Sequence, residues 1–306
     1  MDATPSVRLP ADADSGVPLR PPAPLVIGAQ TFNWGARTFV MGIINVTPDS
    51  FSGDGLMAAA DDPVAVAVAQ AKRMVAEGAD VLDIGGHSTR PGHVEISVNE
   101  ELARVIPVMK AVRDALPEMA LSIDTTSAEV AEAALEVGAR LVNDVWGTAA
   151  EPALLRLAAE LSLPMVLMHN RTEALYRNVV AEVIADLSRA LDAALATGVA
   201  WEALIVDPGI GFGKTAEHNL AVLRDLHLLA ALGRPVMLGT SRKSTIGKVL
   251  DLPAGERLEG TLATTALAVA AGVDIVRVHD VRANVRAARM ADAIVRGGWH
   301  DPGEQR

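Results

Sequence analysis

Met41-Gly42-Ile43-Ile44-Asn45-Val46-Thr47-Pro48-Asp49-Ser50-Phe51-Ser52-Gly53 is the stretch that decides the fold. An apolar run ends abruptly in an amide, a hydroxyl, a proline and a carboxylate. A strand buried on both faces looks like this when it hands polar groups to a loop at its C-terminal end. The pattern recurs at Asp83 to Gly92, Ile123-Asp124-Thr125, Val142-Asn143-Asp144, Met168-His169-Asn170, Val206-Asp207-Pro208-Gly209, Gly239 to Lys243 and Val276 to Asp280. Eight polar strand ends point to one shared site on a barrel rim.

Outward from these ends, short buried strands are expected at Thr38–Asn45, Asp80–Gly85, Ala120–Asp124, Arg140–Asp144, Pro164–His169, Ala203–Asp207, Pro235–Thr240 and Val273–His279. Ala-rich stretches of helical period lie between them: Pro63–Gly78, Val98–Leu116, Ser127–Val137, Glu151–Leu161, Val179–Thr197, Glu217–Leu232, Arg257–Ala271 and Val281–Arg296. Gly78, Gly138 and Gly272 each precede a strand, as helix-ending glycines do. Strand-then-helix units of roughly 30 residues, eight times over, favour a (β/α)8 TIM barrel of α/β class over an open doubly wound sheet, although strand counting does not show closure. The apolar residues of Leu25–Arg37 and the turn Asn33-Trp34-Gly35 predict a short N-terminal β-hairpin plugging the barrel bottom. The proline-rich residues 1–24 read as a disordered tail without the apolar stretch of a secretory signal, and 25–300 as one domain.

Composition narrows the chemistry. With 306 residues, 50% of them hydrophobic, the chain can bury a large core. Aromatics at 3% and a net charge of −11 argue against a nucleic-acid partner, and no apolar run is long enough for a membrane span. Any bound anion must be held by a local cluster against the global field. The absence of cysteine excludes disulfides, thiolate metal sites and a cysteine nucleophile, and fits a cytoplasmic protein.

The strand ends offer a consistent donor and acceptor set. Asn45, Thr47 and Asp49 open a loop running past Asp54 to Gly55, long for its place in a compact domain; turn chemistry at Pro48-Asp49 is the plain alternative. Ser88, Thr89 and Arg90 follow two glycines and can donate to an anion. Asp124, Asn143 and Asp207 present two carboxylates and an amide, suited to a planar heterocycle such as a pterin; each taken singly is also a candidate helix cap. Arg277 and His279, one residue apart, share a strand face beside Asn45 and form an expected anion pocket. Ser241-Arg242-Lys243-Ser244 opens a short helix whose N-terminus attracts anions. Pro208-Gly209-Ile210-Gly211-Phe212-Gly213-Lys214-Thr215 nearly matches a nucleotide phosphate loop, but Pro208 holds the first glycine's place and lacks its amide donor.

These motifs together resemble the dihydropteroate synthase family, in the segments Gly42–Asp54, Gly85–Gly92, Ser122–Thr125, Asn143–Gly147, Asp207–Lys214, Ser241–Lys243 and Arg277–Asp280. The resemblance implies a transferase of folate biosynthesis that joins 6-hydroxymethyl-7,8-dihydropterin pyrophosphate to 4-aminobenzoate with release of pyrophosphate. It further implies a homodimer, inhibition by sulfonamides, and Mg2+ held at Asn45 beside the pyrophosphate. By the same resemblance, Thr89, Arg277 and His279 look like pyrophosphate contacts, Arg90 like a further substrate-binding residue, and Asp124, Asn143, Asp207 and Lys243 like pterin contacts, with Met168 on the ring. Phe212, Ser241 and Lys243 look like the aminobenzoate side, Gly239 like a further substrate-binding position, and Asp49 or Asp54 like the group that steadies developing positive charge. Val46–Gly55 and Ser88–Gly92 look like the family's closing loops. This chain departs from the family at His87, where a glutamate is usual, and in the order Gly53-Asp54-Gly55. Alternatives within reach of the same residues are a corrinoid-type pterin-dependent methyltransferase and a non-catalytic pterin-binding paralogue.

Overall fold

A computed structural model describes residues 21–46, 62–86, 96–147 and 152–297. A two-stranded antiparallel hairpin, β1 (Leu25–Ile27) and β2 (Gln30–Phe32), comes first. Its tight turn is Gly28-Ala29, with Gly28 at φ 63°, and not the expected Asn33-Trp34-Gly35, which forms a separate turn after β2. The two-residue connection needs a left-handed backbone that glycine reaches without strain.

Eight parallel strands follow among the described residues: β3 (Phe39–Asn45), β4 (Val81–Gly85), β5 (Ala120–Asp124), β6 (Leu141–Asp144), β7 (Met165–Met168), β8 (Leu204–Asp207), β9 (Met237–Leu238) and β10 (Ile275–Val278). They pair in the order β8-β7-β6-β5-β4-β3-β10-β9. The remaining seam is joined by a parallel bridge between Val206 and Val236, where the Val206 N–H donates to the Pro235 carbonyl at 3.0 Å. The sheet is therefore a nearly closed TIM barrel, as expected. The intervening helices are α1 (Pro63–Glu77), α2 (Val98–Ala115), α3 (Ala128–Glu136), α4 (Pro152–Glu160), α5 (Val179–Thr197) and α6 (Ala216–Arg224), then α7 (Ser244–Leu250) and α8 (Leu258–Ala270) before β10, and α9 (Val281–Val295) after it.

The helix expected over Glu217–Leu232 is divided. The α-helical part α6 stops at Arg224, and Leu226–Leu232 continues as a 3-10 helix. Leu226, Leu229 and Leu232 are all buried and three residues apart, which is the period of the tighter helix.

Strand alternation divides the core in two. Outward residues such as Ile44, Leu82, Ile84, Leu121, Ile123 and Val142 pack with the helices in one large cluster. Inward residues at the N-terminal ends, among them Met41, Val81, Ala120, Leu141, Val166, Ile205, Met237 and Ile275, form a second cluster with Phe32, Trp34 and Phe39. The hairpin thus seals the bottom of the barrel. Phe32 is 1% exposed, with ring centroids 4.7 Å from Phe39 and 5.7 Å from Trp34. Two residues further along, the same inward face turns polar on five of these strands, at Asp83, Ser122, Asn143, Asp207 and Arg277, while β3, β7 and β9 present Ile43, Met168 and Gly239.

This division makes a stability prediction. Phe32→Ala should cost about 3–5 kcal/mol by opening a cavity in the plug, and each kcal/mol should lower the melting temperature by roughly 2–4 °C in a domain of this size. Thermal unfolding of the variant is the check. A melting curve superimposable on that of the wild type would show that the hairpin does not seal the barrel.

Candidate active site at the barrel mouth

The inward polar layer is organised by Arg277. Its Nε donates to Asp83 Oδ2 at 2.6 Å and its Nη2 to Asp124 Oδ2 at 2.6 Å. Asp83 Oδ2 also accepts from Asn143 Nδ2 at 3.0 Å. Four strands, β10, β4, β5 and β6, are thereby joined across the barrel interior. Burial opposes the charge on Arg277, but Asp83 and Asp124 overcome it and hold its pKa above the ordinary value. Burial pushes the Asp124 carboxyl up to about 7, against Arg277 and with the help of Asp83, Glu101 and Asp144. Asp124 Oδ1, Asn143 Oδ1, Asp83 Oδ1 and Ser122 Oγ are buried without a hydrogen-bond partner among the described residues. Unsatisfied buried polar atoms are costly, and a group of them at a barrel mouth marks places where a ligand completes the bonding.

On the opposite side of the mouth, Asp207 accepts from the Gly209 N–H at 2.7 Å. Burial raises its pKa, while Lys243 and the Gly209 hydrogen bond act against the rise. Burial likewise lowers Lys243 to about 8, with Asp207 opposing. Lys243 Nζ donates to the Ile210 carbonyl and lies 4.5 Å above the Phe212 ring. A Cβ placed on Gly239 would sit 3.8 Å from Lys243 Nζ, 3.9 Å from Arg277 Cβ and 3.9 Å from Asp207 Oδ2, so the missing side chain keeps open the point where these groups converge. Ser241 Oγ accepts from the His279 N–H at 3.1 Å and lies 3.0 Å from its Nδ1. Arg242, at φ 57°, is directed away from a ligand role: it forms a bidentate pair with Asp280 at 2.9 and 2.6 Å.

The structure brings most of the expected residues together. Asp124, Asn143, Met168, Asp207, Gly239 and Arg277 come from inward positions on the strands or immediately beyond them, while Phe212, Ser241, Lys243 and His279 come from the loops that follow. Asn45, half-buried, ends β3 and pairs in register with Gly85. Arg277 faces Asp83 and Asp124 and so lies against the expected pterin side, whereas His279 bonds to Ser241. Thr47, Asp49, Asp54, Ser88, Thr89 and Arg90 lie outside the described residues. Two features carry no role in the sequence reading. One is Asp83, which sits inside an apolar strand, an expensive place for a carboxylate and therefore a legible signal. The other is Lys214, whose Nζ lies 2.8 Å from His169 Nδ1. Burial pushes Lys214 down to about 7, and burial together with Lys214 pushes His169 down to about 4.

Groups of both charges around the C-terminal mouth of a parallel barrel place the protein among barrel enzymes that act on small polar substrates. Its family is narrower. Residues 41–279 match the family described as pterin binding enzyme, and the chain belongs to that family. It is 48% identical over 271 residues to the dihydropteroate synthase of Clostridium beijerinckii, covering 88% of this chain and 99% of that one. Among solved structures it is similar to a dihydropteroate synthase from Clostridium difficile determined in the presence of pteroic acid, with 47% identity, TM-score 0.82, and coverage of 87% of this chain and 99% of that one. It is similar also to the Xanthomonas albilineans dihydropteroate synthase with 4-aminobenzoic acid, with 43% identity, TM-score 0.79, and coverage of 84% and 93%.

The raised pKa of Asp124 has a thermodynamic consequence for the ligand-free protein. The folded state keeps a proton that the unfolded chain releases, so this group's contribution to stability declines as pH rises from 3.8 to about 7. The lowered Lys243 and Lys214 act in the opposite sense at higher pH, and Asp207 remains in both proteins compared. Asp124→Asn should therefore gain stability relative to the wild type across that window. Denaturant unfolding at a series of pH values reads the difference. Parallel stability curves for the two proteins would contradict the assigned protonation.

Proposed function

We propose that the barrel mouth is the active centre of a dihydropteroate synthase, which condenses 6-hydroxymethyl-7,8-dihydropterin pyrophosphate with 4-aminobenzoate. The observation that carries this reading is the pair of unpartnered acceptors, Asp124 Oδ1 and Asn143 Oδ1, on neighbouring strands inside a closed polar layer. A pterin offers a matching edge of N–H groups. In this reading Asp124, Asn143, Asp207 and Lys243 hold the heterocycle and Met168 packs on its ring. Arg277 keeps its pair with Asp83 while Asp124 turns to the substrate.

The reaction breaks the bond between the pterin methylene and pyrophosphate oxygen and forms a bond from the methylene to the amine nitrogen, which then gives up a proton. Charge grows on the leaving oxygens. Arg277 and His279, with Thr89 and Arg90, are placed by this reading to stabilise it, an effect realised most strongly in the transition state. Asp49 or Asp54 steadies the electron-poor methylene. Phe212, Ser241 and Lys243 orient the arylamine. Asn45 fits Mg2+: its amide oxygen is a hard donor at the mouth, and this ion is commonly held by one or two protein ligands together with substrate phosphates. When bound, the metal would neutralise pyrophosphate charge. The absence of cysteine and of a membrane-crossing helix among the described residues supports a cytoplasmic setting.

The direct test is pyrophosphate release by the purified protein with Mg2+. Release should require both substrates. Arg277→Ala and His279→Ala should each slow turnover by about ten- to a hundredfold, as expected for loss of a charged contact of 1.5–3 kcal/mol, while binding of a pterin without pyrophosphate should weaken less. Absence of release under saturating substrates would reject the synthase reading. Normal turnover combined with lost affinity for free pterin would reject the anion-pocket assignment.

A homodimer belongs to the same reading. Leu267, Met290 and Ile294 are 65%, 63% and 71% exposed, and Val249, Leu250 and Val295 are further exposed apolar residues on α7 and α9. A second copy packed on them by twofold symmetry would cover them. Sedimentation velocity should find a dimer that Ile294→Glu shifts towards monomer; a monomeric wild type at micromolar concentration would exclude this arrangement.

A further inference from the structure

The near-match to a phosphate loop at 208–215 holds a partly buried lysine whose ammonium end is turned onto protein acceptors. Lys214 Nζ meets three acceptors: His169 Nδ1 at 2.8 Å, the Gly209 carbonyl at 3.0 Å and the Phe212 carbonyl at 3.1 Å. An ammonium has three N–H donors, and all three are used. With Nδ1 accepting, the ring proton of His169 belongs on Nε2, which lies 3.0 Å from Asp186 Oδ2. Asp186 on α5 is held in turn by Arg171, at 2.7 and 2.8 Å, and by Arg189. A continuous chain of polar contacts therefore runs from α5 through the end of β7 into the loop after β8.

The loop is pressed onto this support. A Cβ at Gly209 would come 1.8 Å from the His169 carbonyl oxygen, and one at Gly213 would come 2.3 Å from that of Arg171. Both glycines have positive φ, 66° and 54°. They are glycines because of close backbone approach and not for a phosphate cradle. The Tyr176 hydroxyl adds a second strap, donating to the Gly213 carbonyl at 2.8 Å, with the Arg171 guanidinium 4.5 Å from the Tyr176 ring. On its other side the same loop presents Phe212 beneath Lys243. Two lysines thus grip one loop, Lys214 from the support and Lys243 from the mouth.

We propose that Lys214 is a positioning residue for the arylamine substrate: by tying the Gly209 and Phe212 carbonyls to His169, it sets where Phe212 and Lys243 meet that substrate. This rests on the synthase reading given above. Lys214 does not touch substrate in this account. Its loss leaves two carbonyls and an imidazole nitrogen without their donor, and the loop shifts to find others. A displacement of about 1 Å at a substrate-orienting group is enough to cost a large factor in binding or rate. The pterin contacts Asp124 and Asn143 sit on β5 and β6, outside this chain of contacts, whereas Asp207 and Lys243 adjoin the loop, so the pterin side is disturbed less than the arylamine side.

The test is steady-state kinetics with both substrates varied, for Lys214→Met, His169→Gln and the double variant, alongside thermal melting. Each single variant should raise KM for 4-aminobenzoate by about tenfold or more, with a clearly smaller rise in KM for the dihydropterin pyrophosphate. The double variant should be no worse than the worse single, because both changes remove one shared contact. Unchanged KM for 4-aminobenzoate, an equal rise in both KM values, or a loss confined to kcat would overturn the proposal. If Lys214→Met does not fold, His169→Gln must show the same split by itself. Failure of the synthase reading would appear separately, as wild-type protein that releases no pyrophosphate.

Discussion

The site depends on one buried cation. Arg277 stands between Asp83 and Asp124 at 2.6 Å from each, inside a barrel whose inner wall is otherwise apolar below that level. Two carboxylates this deep would be costly in isolation, and so would an unpaired guanidinium. Together, and with Asn143 bonded to Asp83, they are tolerated. The planar fork of arginine suits the task, since it serves two acceptors at once from a single strand position. The arrangement is incomplete all the same: among the described residues, one oxygen on each of Asp83, Asp124 and Asn143 lacks a partner. The cluster is stable enough to fold and is left with acceptors for something to occupy.

The rest of the barrel makes this affordable by keeping stability and chemistry at opposite ends. The hairpin and the N-terminal inward residues form a closed aromatic and aliphatic plug, while the polar layer lies two residues further along the same strands. Parallel strands carry every inward residue to the same mouth, so single residues from several strands can converge on one ligand without any long-range motif in the sequence. Gly239 shows the other half of the design: the centre of the mouth stays open because one inward position has no side chain.

Much of this was legible in the sequence. The strand ends were readable because an apolar run that stops at Asp124, Asn143 or Asp207 leaves few places for the polar group other than a rim. The resemblance of the strand-end motifs named the family. Partners were harder. Nothing local in the sequence says that Arg277 pairs with Asp83, 194 residues away, because that pairing depends on how β10 and β4 flank β3 in a closed sheet. Lys214 was masked by its own motif, since a lysine after spaced glycines suggests phosphate, and only the packing of the loop on His169 shows the glycines' purpose. The misplaced hairpin turn and the divided helix after β8 are local effects: Gly28-Ala29 outcompeted a second glycine-containing turn, and three leucines at intervals of three favoured the tighter helix.

The central claim is that Asp124, whose carboxyl burial raises to about 7 against the pull of Arg277, is the carboxyl that receives the pterin. Calorimetric titration of 6-hydroxymethyl-7,8-dihydropterin into the wild type and Asp124→Asn, below the raised pKa of about 7 and in buffers of different ionisation enthalpy, tests it most directly. The account predicts that the wild type releases protons on binding, seen as a buffer-dependent heat, and that the variant binds about ten- to a hundredfold more weakly with that release abolished. Equal affinities with the same buffer dependence in both proteins would contradict it.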